Sequence, residues 1–167
     1  MQPDDQRRTA VTSTLEQLLE HPDCAQGVMW WHQSAKANEI IFREGDQGRD
    51  VYVVLSGLVQ VVGAVELEGQ RKISSGFFEL GSGAIFGELA LIDRRPRSAM
   101  VMAVVDCDLA VINGEALLRF FDSHPDVGYR VMKDLMAVMT ERLRKTNSKL
   151  FSLFAWGLKV HDIDQHL

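Results

Sequence analysis

The sequence predicts an α+β fold, mainly β, and three features of it do so. From about Ala35 to Ile112, short β-branched runs such as VYVVL, LVQVV and AMVMAVV alternate with glycine-rich or acidic turns, the texture of a compact antiparallel β-domain. Ahead of that block, Leu15, Leu18 and Leu19 mark a short helix that stops at His21-Pro22. Behind it, Met132, Met136, Met139, Leu143, Thr146, Leu150 and Leu153 recur at steps of four and three, the rhythm of a coiled-coil seam.

Each element has a local reason. Ser13 and Glu16 have capping-box spacing at the start of the first helix. In the β-block, REGDQGRD and the Ser56-Gly57 pair supply the corners that hairpins need. Asn113 can cap a short helix, GEALLRFF, and Ser123 with Pro125 begins a far longer one. Along it Val131, Leu135 and Val138 form a second apolar stripe, so one face is expected to meet the β-domain and the seam a partner helix. The expected organisation is a helical segment over 1–33, the β-domain with its short helix over 34–122, the long helix over 123–158 and a tail over 159–167.

Composition narrows the function. A formal charge of −5 and a pI near 5.5 argue against a general grip on nucleic acid, while leaving room for a small anion held by one local arginine. Cys24 and Cys107 form no CxxC pair, so no thiolate metal site or disulfide framework is expected. The N-terminal stretch MQPDDQRRTA lacks the apolar core of a signal peptide, and no apolar run approaches a membrane span. A cytoplasmic location without membrane attachment is expected.

The chemistry concentrates in FGELALIDRRPRSA, Phe86 to Ala99. A helix starting at Gly87-Glu88 leaves backbone N–H groups unpaired in its first turn, and the glycine lets a ligand approach closely. Pro96 biases Arg95 toward extended backbone, so Arg97 emerges on a restrained base and can clamp a phosphate through both guanidinium arms. Glu88, an acceptor when ionised, suits a sugar hydroxyl.

This stretch, continued as FGELALIDRRPRSAMVMA, resembles the phosphate-binding cassette of cyclic-nucleotide-binding domains, and IIFREGDQGRDVYVVLSGLVQVV is similar to the family's first β-hairpins. The resemblance covers roughly residues 34 to 147. It implies an eight-stranded antiparallel β-roll of jelly-roll type holding a 3′,5′-cyclic nucleotide, cyclic AMP (cAMP) first and cyclic GMP (cGMP) second, with no other cofactor. By family pattern Gly87 and Glu88 meet the ribose, Glu88 taking the 2′-hydroxyl, and Phe86 is counted with them among the ligand-binding residues. Arg97 pairs with the cyclic phosphate, and Ser98 with the N–H groups of Leu89, Ala90 and Ala99 completes its shell. MTERLRKTNSKL resembles the dimerising helix of the family's bacterial activators, which implies base contacts from Thr146 and Asn147, in the same or the partner chain. The whole reads as a non-catalytic sensor that forms a homodimer and signals to another protein. The chain past that helix is too short for a helix-turn-helix, so DNA readout is not expected.

Two rival readings stand beside it. A metal enzyme of the cupin type needs histidines on inner strands, whereas His21, His32, His124, His161 and His166 all fall outside the block read as the roll. A dimerisation module that binds no ligand would share the fold and differ only in an inert pocket.

Overall fold

The computed structural model describes residues 18–67 and 71–160, with side chains over 18–63 and 78–157. The proposed capping box at Ser13 and Glu16, Leu15, and the histidines at 161 and 166 lie outside the described residues. Helical residues 18 and 19 lead in, and beyond them the described residues form, in order, β1 (Trp30–Ala35), β2 (Ile40–Phe42), β3 (Val51–Ser56), β4 (Leu58–Leu67), β5 (Arg71–Gly81), β6 (Ile85–Phe86), α1 (Glu88–Asp93), β7 (Met100–Ala103), β8 (Cys107–Ile112), α2 (Gly114–Ser123) and α3 (Pro125–Val160). The strands form two antiparallel four-stranded sheets, ordered β1-β8-β3-β6 and β2-β7-β4-β5. This is the β-roll expected from the sequence, carrying a long C-terminal helix.

Burial explains why VYVVL reads as a continuous apolar run. In β3, Val51 and Val53 face the helices while Tyr52 and Val54 face the interior between the sheets. Both faces are covered, so the alternation of a half-exposed strand disappears. β8 repeats the pattern, with Ala110 and Ile112 toward the helices and Leu109 and Val111 toward the interior.

The corners differ from the hairpin reading. Among the described strands, β4 and β5 are the only sequence neighbours that pair. Ser56-Gly57 instead carries the chain from one sheet to the other, as does the 43–50 turn between β2 and β3. Gly57 adopts φ 96, and a Cβ there would sit 2.6 Å from both the Asp106 carbonyl oxygen and Cys107 Sγ. A glycine flanked by apolar runs signals a turn equally well in either topology; which sheet receives the next strand depends on distant partners. β1 also begins at Trp30, ahead of the boundary drawn at residue 34, so His32 lies on a strand of the roll. It is exposed there, 3.4 Å from Asp108.

The helices follow their local signals more closely. Asn113 Oδ1 accepts the Ala116 N–H at 2.9 Å, the predicted cap of α2. Asn113→Ala should lower the unfolding free energy by about 1 kcal/mol, read as a reduced urea midpoint at unchanged slope. Ser123 does not cap α3; its hydroxyl donates to the Arg119 carbonyl, and Pro125 is the first helical residue. Along α3 the two apolar stripes separate as predicted. Val131 and Leu135 are buried against the roll with Val138 packed beside them, while Met132, Met136, Leu143, Leu150 and Leu153 are exposed. Among the described residues no helix is long and apolar enough to cross a membrane.

Both cysteines are free and buried. Burial pushes the Cys24 thiol up to about 11, so its reactive thiolate is scarce near neutral pH. An alkylating reagent at pH 8 should leave Cys24 unmodified in the folded chain and label it in denaturant, as tryptic mass spectrometry would record. Equal labelling in both states would contradict the burial.

Candidate functional site

Glu88 and Arg97 are the two charged residues in the buried set among the described residues, 3% and 5% exposed respectively. Burying a charge is costly unless it is paired or has a ligand to meet. The two reach the same cavity by different supports.

Arg97 is held from its backbone outward. Its N–H donates to the Asp46 carbonyl at 2.9 Å and its own carbonyl accepts the Gly45 N–H at 2.8 Å, so the 43–50 corner clips the residue in place. Nη1 donates to the Gly87 carbonyl and Nη2 to the Asp50 carbonyl, both at 2.9 Å. The guanidinium carbon lies 4.5 Å from the Phe42 ring centre and 5.6 Å from that of Tyr52. Tyr52 in turn stacks on Phe86 at 4.9 Å. These contacts fix orientation without neutralising charge: among the described residues Arg97 pairs with no carboxylate. Burial raises the Tyr52 phenol above its ordinary range, partly offset by the Arg97 charge, so the ring stays neutral beside the arginine.

Gly87 joins the two halves. It caps α1 at φ 81, and a Cβ there would stand 2.8 Å from Arg97 Nη1 and 2.9 Å from the Asp50 carbonyl oxygen. Both the left-handed backbone and the close approach require glycine.

Glu88, the first residue of α1, meets an arginine that sequence reasoning missed. Arg142 of α3 donates from Nη1 to Glu88 Oε1 at 2.5 Å and from Nη2 to the Ile85 carbonyl. Nothing in MTERLRKT sets Arg142 apart from its basic neighbours at 144 and 145. Its position one helical turn before Thr146 is the signal that could have placed it on the pocket side.

The cavity encloses about 420 Å³, its open mouth included. Eight of the residues singled out from the sequence line it: Phe86, Gly87, Glu88, Leu89, Ala90, Arg97, Ser98 and Ala99. Phe42, Val61 and Val101 add an apolar wall, and Arg142 closes the α3 side. Thr146 and Asn147 are not among the lining residues; both are exposed on α3 beyond Arg142. The chemistry on offer is a fixed cation for an anion at one end, a carboxylate for hydroxyl donors at the other, and an apolar wall between them.

Comparison with known proteins bears on the family and the fold. The family model described as cyclic nucleotide-binding domain matches residues 32–124. A cyclic AMP receptor protein of Thermus thermophilus is 34% identical over 110 residues, covering 66% of this chain and 47% of the relative. The chain thus spans about half the length of this curated relative. Among solved structures, a cyclic nucleotide-binding domain from Methylobacillus flagellatus superposes with a TM-score of 0.67 at 28% identity, covering 74% of this chain and 67% of that one. The c-di-GMP-responsive regulator CLP of Xanthomonas campestris superposes with a TM-score of 0.69 at 26% identity, covering 84% and 63%. With the roll, the cassette and the family match all falling on the same residues, the chain belongs to the cyclic nucleotide-binding domain family.

Proposed function

We propose that this chain is a regulatory module that binds a cyclic mononucleotide, cyclic AMP first, and passes the event to another protein through α3. The observation that carries this reading is the pair of buried opposite charges on one cavity, with Arg97 lacking any carboxylate partner among the described residues. A cyclic phosphate monoanion matches that cation, and the ribose 2′-hydroxyl can donate to Glu88. Ser98 and the first turn of α1 supply further donors along the cavity. Domains of this family are generally regulatory rather than enzymatic, and the proposed module senses its ligand without transforming it.

The coupling would run through Arg142. It spans α3 and the β6–α1 turn, so a ribose at Glu88 must share or displace the arginine, and either change bears on the helix. The exposed seam of Met136, Leu143, Leu150 and Leu153, with Phe151, Phe154 and Trp156 beyond it, supports pairing with a second α3. In such a dimer Thr146, a polar position within the seam, and Asn147 beside it would reach the base from either chain.

Calorimetric titration with cyclic AMP, cyclic GMP and cyclic di-GMP tests the reading. One site per chain is expected, tightest for cyclic AMP. The Glu88–Arg142 contact also favours a second reading, a pocket closed for good in a pure dimerisation module, which absence of heat with all three nucleotides would establish.

A further inference from the structure

The HPD triplets at 21–23 and 124–126 are far apart in the chain, yet the structure brings His21, Asp23 and His124 together. His124 ends α2, its N–H on the Phe120 carbonyl at 2.8 Å and its ring stacked on the Phe120 ring at 4.4 Å. Its Nδ1 lies 3.2 Å from that same carbonyl oxygen, which can only accept, so Nδ1 carries the proton. In the neutral ring Nε2 then presents a lone pair to Asp23 Oδ2 at 3.0 Å. A lone pair and a carboxylate oxygen this close need a cation with them, either a proton or a metal ion. A proton would satisfy those two residues alone. The His21 ring, however, stands 5.0 Å from that of His124, and one donor atom from each of the three residues lies within 4.8 Å of the others.

We propose that His21, Asp23 and His124 bind a divalent transition-metal ion of the zinc class, leaving the remaining coordination to water. Two nitrogens and one oxygen suit Zn²⁺ or its Co²⁺ and Ni²⁺ neighbours better than Mg²⁺ or Ca²⁺, which prefer all-oxygen shells. The imidazole that donates to a backbone carbonyl while turning its other nitrogen to the ion is the usual outer support of such sites. Donors sharing one zinc ion stand about 3.3 Å apart, so the His124–Asp23 pair is nearly set and His21 must close by up to about 1.5 Å. His21 Nδ1 now takes the Asp23 N–H at 3.2 Å, a weak bond on an exposed rim that coordination can replace. Occupancy would tie the segment following buried Leu18 to the junction where α2 passes into α3, bracing the base of the long helix.

The test is titration of the full chain with ZnCl₂ in chelator-free buffer, by calorimetry and by thermal melting. Expected are one ion per chain, a raised Tm, and at least a tenfold loss of affinity in Asp23→Asn and in His21→Gln. Neither residue is in the core, so folding of both variants is checked by circular dichroism at no risk to the result. His32→Gln, which removes the histidine beside Asp108, should bind as the parent does, and Mg²⁺ should leave the Tm unchanged. With Co²⁺, absorption lacking a thiolate-to-metal band is expected; such a band would move the ion to Cys24 and overturn the assignment. So would absence of Zn²⁺ uptake, or uptake unaltered in both variants.

Discussion

Arg97→Ala should weaken cyclic-nucleotide binding by about 3 kcal/mol or more, on the order of a hundredfold, while the roll still folds. The size follows from what is lost. The guanidinium is buried, aromatic rings exclude water on one side, and two backbone carbonyls hold it without cancelling its charge. An anion arriving there meets a preorganised cation in a partly desolvated setting, where a charge-assisted bond is strongest. Arg97→Lys keeps the charge but not the fork, and cannot reach Gly87, Asp50 and a phosphate at once. It should fall between the parent and the alanine variant. Calorimetry on all three would read this order; equal affinities would remove Arg97 from the phosphate.

Arg142→Ala carries the second large effect, on stability in the absence of nucleotide. Truncation strands the Glu88 carboxylate, which has little water of its own, and breaking one side of a buried pair costs about 3 kcal/mol or more. Glu88→Gln should cost less, because Arg142 is more exposed than Glu88 and water can solvate it. In the Glu88→Gln/Arg142→Ala double variant no lone charge remains buried, so its loss of unfolding free energy should lie near that of Glu88→Gln alone and well below the sum of the two single losses. Urea unfolding of the four proteins gives the cycle. A single-variant loss below about 0.5 kcal/mol for Arg142→Ala would mean that the arginine is not holding α3 to the pocket.

These expectations rest on contacts of unequal legibility. The cassette could be read because its information is local. Gly87 and Pro96 set the backbone, Glu88 and Arg97 stand ten or fewer positions apart, and the turn between them is short. Arg142 could not be, since it reaches Glu88 across 54 positions and one arginine on a charged helix resembles its neighbours. The role of the 43–50 corner was half legible. Its glycines announced a turn, but nothing nearby revealed that Gly45 and Asp46 would grip the backbone of Arg97.

By itself the sequence determined the β-block, the capped α2, the two stripes of α3 and the residue types at the cavity. Each follows from the spacing of side chains over a few positions, where periodicity and capping act. The tertiary structure alone decided which sheet received each strand, which arginine met Glu88, and that His21 and Asp23 would face His124. Those outcomes depend on how separately encoded surfaces bury one another, and burial is a property of the assembled core that no short window of residues contains.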